Sequence, residues 1–422
     1  MSNVPDSASE LGSQASNAIE ATGKPKLRRA LTTPMVVLYG LGVTIGAGIY
    51  VLVGTTAAEA GQFAPIAFLM AALVVAFTAF SYAELSTRYP VSAGEAAYVE
   101  AGFKRGWLAT IVGLLVAASG MVSASAVAIG AGSYLHEFWA VSEAFLTACV
   151  VIVMGLIALW GITQSVTIAA VITVIEISGL VFVMYWGFSA PDPKGVSILE
   201  TLTPSELGHW VGIGSASVLA FFAFVGFEDM ANVAEEVKDP KATMPKAIFW
   251  TLILATVLYI GTTIAVLVAV PIPTLSASSA PLSLVFVEAG DRTKQAFGLI
   301  AVVATVNGVL IQMIMASRVI YGLAERNHLP AILAKVSPST QTPIVATLAV
   351  TAMILLLSLA LPIEALAERT SQIVLVVFIL VNLALIRLKL NGQRVEGTVH
   401  APLVVPILGV VTSAGLLMIS IA

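Results

Sequence analysis

Runs of about twenty apolar residues alternate with short polar stretches along most of this chain. Eleven such runs cover roughly 33–60, 63–87, 106–135, 142–160, 165–187, 211–236, 245–271, 294–324, 342–360, 365–388 and 401–421. At 1.5 Å per residue each is long enough to cross about 30 Å of hydrocarbon as a helix. The pattern predicts an all-α polytopic membrane protein with eleven transmembrane helices. The first 28 residues carry no such run; they are polar and rich in Ser, Ala, Asn and Glu, and they read as a disordered tail rather than a signal peptide.

Two runs are interrupted at their centres. "GVTIGAGIY", residues 42–50, has three glycines (Gly42, Gly46, Gly48) where a spanning helix can least accommodate weak helix formers. "FFAFVGFEDM", residues 221–230, places Gly226 directly before Glu228 and Asp229. Counting 1.5 Å per residue from each entry point puts Val43 and the 222–226 stretch at a similar depth, close to the midplane. Discontinuous helices at corresponding positions point to an inverted repeat of the transporter kind. The expected organisation is five plus five plus one: a tail (1–28), a first five-helix repeat (29–187), an outside loop (188–209), a second five-helix repeat (210–390) and an additional helix 11 (391–422).

Composition agrees with the runs. Hydrophobic residues make up 58% of the chain and charged residues only 10%, with a mean hydropathy of +0.98, outside the range of soluble domains. Of the 20 Lys and Arg, all but Lys194, Arg292, Lys294 and Arg369 fall in the tail, in the even-to-odd connections or at the run ends beside them. The positive-inside rule then puts the N-terminus in the cytoplasm of a plasma (inner) membrane and, after eleven spans, the C-terminus outside. A single cysteine, Cys149, excludes an intrachain disulfide and a cysteine metal cage. No Walker loop supplies an ATP motor, and no GxSxG or HExxH marks a hydrolase.

Unwound backbone in the hydrocarbon core is tolerated only where it lines a cavity or meets a ligand. If Thr44, Ile45, Gly46, Ala47 and Gly48 form such a turn, the N–H groups opening the outer half-helix suit a carboxylate. Carbonyls near Thr44 suit an ammonium, and those of Ala223, Phe224 and Val225 complete that site, with Phe222 beside the ligand. Donors and acceptors a few ångströms apart match an α-amino acid. The competing reading, in which these glycines only allow close helix packing, fits span 3 better, where Gly120, Ala124 and Ala128 recur at four-residue spacing. Glu228 and Asp229 read first as acids favoured at the start of a half-helix.

"GVTIGAGIYVLVG" together with "FFAFVGFEDMANVAEEVKDPKATMPKAI" resembles the amino acid–polyamine–organocation superfamily, closest to bacterial relatives of the cationic amino acid transporters. "YAELSTRYPVSAGEAAYVEAGF" and "RVIYGLAERNHLPAILAKVSPSTQTP" extend the likeness over spans 1 to 10. The resemblance implies alternating access on a five-plus-five fold, with no enzymatic activity. It places the carboxylate turn on Gly46, Ala47 and Gly48, the ammonium carbonyls on Thr44, Ala223 and Val225, and the aromatic gate on Phe222. Proton-coupled relatives carry a lysine midway along span 5, where this chain has Glu176.

An acid at a helix centre is costly, about 2.5–3.5 kcal/mol on insertion scales, and is a functional candidate by default. Glu176 is therefore expected to couple transport to H⁺. Na⁺ is the alternative ion, disfavoured because no group of several acids marks a metal cage. The expected function is a proton-coupled amino acid symporter using no cofactor and no metal, its partners being the substrate and the lipid bilayer, without nucleic acid. An exchanger or a Na⁺-coupled symporter is the runner-up. A channel would need a continuous polar stripe or charged rings, and a sensor usually adds a soluble domain. Ser119, Ser123, Thr305, Asn307 and Gln312 are the polar candidates for the side-chain walls, and the lack of an acid on spans 3, 8 and 10 favours neutral substrates. Glu84, four residues before Arg88, reads as half of a helix-end ion pair.

Overall fold

A computed structural model describes residues 31–421 apart from 92–93, 161–165, 191–194, 326, 338–341 and 393–398. The tail 1–28 therefore lies outside the described residues. The sequence of helices begins with α1 (Thr33–Thr44), α2 (Ala47–Tyr50), α3 (Val53–Ala60), α4 (Ala64–Arg88), α5 (Gly94–Phe103), α6 (Gly106–His136), α7 (Glu143–Trp160) and α8 (Val166–Phe188). It continues with α9 (Leu207–Phe222), α10 (Pro240–Ala269), α11 (Ile272–Ser276), α12 (Asp291–Glu325), α13 (Ile344–Ala360), α14 (Ile363–Leu390) and α15 (Val404–Ile419). Between α9 and α10 the chain runs as a 3-10 helix over Phe227–Glu236. Among the described residues the single β-type pairing is an isolated bridge between Leu31 and Val237. Seven helical stretches are long and apolar enough to cross a membrane, and α1, α7, α13 and α15 are shorter apolar helices.

The helices start and stop for local reasons. Proline stands in the first turn of α1, α4 and α10, where its missing N–H and fixed φ do no harm. Asp239 caps α10 by accepting from the Ala242 amide at 3.3 Å. α1 ends because Ile45 turns to an extended conformation, and α9 ends just before Gly226, whose φ of +115° suits glycine alone.

Outward faces carry large apolar side chains: Leu156, Tyr185, Val257 and Leu356 are each more than 60% exposed, a surface suited to lipid rather than water. Inside, α6 and α12 form the most extensive helix pair. The small-residue stripe of span 3 serves this contact, with Gly120 lying against Met315, Gln312 and Ala316. That is the close approach small-xxx-small faces allow. α1 packs on α8 and α10, and the 3-10 segment lies against α1, α4 and α10, so both interrupted helices sit at the centre of the bundle.

Candidate functional site

The two breaks face each other. A Cβ on Gly48 would run into the backbone of Ala223, and one on Gly226 would meet the Val43 carbonyl at 3.0 Å. Both glycines are therefore fixed by the approach of one broken helix to the other. Gly46 differs, having open space where a side chain would go.

Between the breaks lies a small cavity with room for roughly one water. Its walls include Val43, Thr44, Gly46 and Gly48 from the first break and Phe222 and Val225 from the second. Ser123 and Val127 of α6 and Gly308 and Gln312 of α12 close the other side. Ile45, Ala223 and Phe224 are buried outside this lining: Phe224 packs edge-on against Tyr259 at 5.1 Å. Ala47 is the first residue of α2.

Sequence reasoning missed Tyr259. Its buried hydroxyl lies 2.8 Å from the Thr44 carbonyl and 2.8 Å from the Ala223 carbonyl. One residue of α10 thus ties together the two backbone groups freed by the breaks, and one O–H proton serves two acceptors. No local pattern marks it, because its partners lie 215 and 36 residues away. A related tie on the outer side runs through Tyr134, whose hydroxyl donates to the Tyr50 carbonyl at 2.5 Å.

Glu176 is buried beside the first break rather than in the cavity wall. The Tyr50 hydroxyl donates to its backbone carbonyl at 2.8 Å, and one turn earlier Thr173 fills the space at Gly42. Its Oε1 accepts from Asn307 Nδ2 at 3.0 Å, while Oε2 has no hydrogen-bond partner. Asn307 precedes Gly308, which lines the cavity, so the carboxyl is linked to the cavity through α12. Of the polar candidates, Ser123 and Gln312 reach the cavity; Thr305 instead bonds the Ala301 carbonyl within its own helix at 2.8 Å.

Glu228 and Asp229 open the 3-10 segment, and both are buried. Glu228 Oε2 accepts from the Gly226 amide at 3.0 Å, which closes the turn. They line a second water-sized cavity together with Glu95, Val116, Ser119, Val374 and Val377. Ser119 lies one helical turn from Ser123, so this cavity is offset from the first by about 6 Å along α6.

A family model for amino acid permeases matches residues 31–422. The chain is 30% identical to the branched-chain amino acid permease BcaP of Bacillus subtilis over 87% of this chain and 82% of that protein. It is 28% identical to the vacuolar cationic amino acid transporter 4 of Arabidopsis thaliana, over 88% of this chain and 65% of the relative. A methylthioribose transporter of Bacillus subtilis is 26% identical over 94% of this chain and 89% of that protein. The chain belongs to the amino acid permease family of the amino acid–polyamine–organocation superfamily, and it is a multi-pass membrane transporter rather than an enzyme.

Proposed function

We propose that this permease is a proton-coupled symporter of neutral amino acids, working by alternating access on an eleven-span, five-plus-five-plus-one fold. The observation that carries the reading is the pair of opposed helix breaks around a water-sized cavity. Amide groups at Gly46 and Gly48 offer donors for a carboxylate, and the carbonyls of Thr44, Ala223 and Val225 offer acceptors for an ammonium. Phe222 covers the ligand. The side-chain walls are apolar or neutral (Val43, Val127, Val225, Ser123, Gln312), and a charged side chain would face an unmet desolvation cost there. The named substrates of relatives include branched-chain and cationic amino acids, and this lining favours the first kind.

In this state the cavity is too small for an amino acid, so substrate entry requires one half to move. Glu176 stands behind the turn that must move, and its free Oε2 is the atom we assign to the coupling proton. With sixteen of twenty basic residues in the tail, the even-to-odd connections or the run ends beside them, the N-terminus is assigned to the cytoplasm of the plasma membrane. The test is uptake of labelled leucine, alanine and lysine into proteoliposomes. Saturable counterflow, with accumulation driven by an inward proton gradient and unaffected by Na⁺, is the expected result. Flux that neither saturates nor counterflows would reject the reading.

A further inference from the structure

Glu95, Glu228 and Asp229 are three buried carboxyls on one cavity, from two elements 133 residues apart in the chain (Glu95 and Glu228). Glu95 comes from α5, a helix between spans 2 and 3, and the other two from the 3-10 segment. Their neighbours leave little room for charge. From α4 the Tyr82 hydroxyl donates to Glu95 Oε1 at a long 3.4 Å, and Tyr98 of α5 is a buried phenol with no partner. α6 contributes Ser119 and Val116, and α14 contributes Val374 and Val377. Glu228 has the Gly226 amide, but Asp229 Oδ2, buried on the same cavity, has no hydrogen-bond partner. Among the described residues no basic side chain lines the cavity. The buried cation nearest Glu95 in sequence, Arg88, is paired with Glu84.

Three carboxylates cannot share such a space in ionised form, because like charges at short range in a low dielectric strongly disfavour one another. Something must neutralise them. Among the described residues no three His, Cys, Asp or Glu side chains converge as metal ligands do. The cavity has room for roughly one water, too little for an organic cation. Protons carried by the carboxyls themselves fit both facts, and Asp229 Oδ2, buried without a hydrogen-bond partner, is an atom that can carry one.

We infer that the Glu95–Glu228–Asp229 cluster is a second proton-binding site, separate from Glu176, whose bound protons hold α5 against the inner half of span 6. The contact it governs is close: Gly94 lies against Ala231, and a Cβ there would approach the Ala231 side chain to 2.9 Å. When the proton leaves a carboxyl oxygen for cytoplasmic water, the remaining charge repels its neighbours and the cavity opens. Its occupancy then biases the inner side toward closed at low pH and toward open at high pH.

The direction and window follow from Glu95, which lies outside the spans. Burial pushes its carboxyl up from the ordinary 4.5 to about 7, against the opposing pull of its own backbone hydrogen bond and that of Tyr82. A group that holds its proton more tightly when packed releases it on opening. Opening therefore becomes easier as pH rises from 4.5 toward 7, and gains nothing further from Glu95 above that. The limiting slope is about tenfold per pH unit.

The experiment reads accessibility directly and needs no substrate, so it stands or falls separately from the symport reading. Val377→Cys is placed on the cavity wall in a Cys149→Ser background, and thiol labelling is followed from pH 5 to 7 with and without Glu95→Gln. Dividing one series by the other removes the pH dependence of the thiol itself. The intact cluster should gain several-fold in relative labelling between pH 5 and 7, and Glu176→Gln should leave that gain in place. A ratio that stays constant with pH overturns the inference. If Glu95→Gln does not fold, Asp229→Asn takes its place with the same two readings.

Discussion

Two glycines two residues apart do different work at the first break. Both line the cavity, but Gly48 faces the Ala223 backbone and leaves no room for a side chain, whereas Gly46 faces open space. The sequence alone suggests that Gly48 is kept small for a carboxylate; its contact with Ala223 adds a constraint from packing. Gly48→Ala should therefore cost about 1–3 kcal/mol as an overpacking change, seen as a lower melting temperature in detergent. Gly46→Ala should melt as the parent does but bind substrate at least tenfold more weakly, measured by scintillation proximity or calorimetry. Equal melting temperatures for the two variants would mean that the breaks do not meet as described. Tyr259→Phe tests the other half of the site. It strips the hydroxyl from two buried carbonyls, each of which then lacks a partner at a cost of about 1–3 kcal/mol. The apo protein should melt lower. If a substrate ammonium donates to the same carbonyls, saturating amino acid should restore more of the loss in the variant than it adds to the parent. Equal stabilisation of both would place the ammonium elsewhere.

At the scale of elements, what could be read from the sequence was what is written locally. Gly46 and Gly226 lie within the breaks and Gly48 opens the helix just after the first, whereas Gly42 belongs to α1 and packs on Thr173; apolar runs of a spanning length mark the helices. The half of span 6 that follows the break, in contrast, is a 3-10 helix over Phe227–Glu236 rather than an α-helix, and nothing in its residue pattern announces that. Tyr259 and Glu95 escaped notice because their meaning depends on partners brought near by the fold. Glu84 was legible only in part: its i+4 partner Arg88 is there, but so are Lys389, at 2.6 Å, and the Ala401 amide, at 2.9 Å. Glu176 was conspicuous as an acid inside an apolar run, yet its tie to Asn307 joins α8 to α12 and could not be read from either helix. That tie makes a specific prediction. Glu176→Gln keeps the shape and the bond to Asn307 but cannot take up or release a proton. Gradient-driven accumulation should fall to the exchange level, while substrate affinity and counterflow stay within about twofold of the parent. Undiminished accumulation at equal expression would reduce Glu176 to a structural residue.

Over the whole molecule, the two sides of the bundle are held in different ways. At one end of the bundle, Glu84 of α4 is fully buried between Arg88, Lys389 of α14 and the Ala401 amide that leads into α15, with His400 at 3.7 Å. Lys389 also donates to the Ala401 carbonyl at 2.7 Å. One carboxylate thus joins α4 to α14 and to the segment entering α15, 305 and 317 residues on, and none of the three contributes to the cavity between the breaks. On the opposite side, Lys294 at the start of α12 meets Glu137 at the end of α6 at 3.0 Å, with side-chain exposures of 36% and 22%. Removing one partner from a buried pair leaves an uncompensated charge, at about 3–5 kcal/mol, while exposed pairs are worth about 0–1 kcal/mol. The cluster is accordingly a fixed anchor, and the Lys294–Glu137 contact is cheap enough to break and remake if transport moves this end of the bundle. Glu84→Gln should lower the melting temperature by many degrees, and Lys294→Met should leave it nearly unchanged. Transport should show the reverse order per molecule of folded protein: little change in turnover for whatever Glu84→Gln protein remains folded, and an altered turnover for Lys294→Met. A stable, fully active Glu84→Gln protein would show that α4, α14 and α15 are held together by their apolar packing alone.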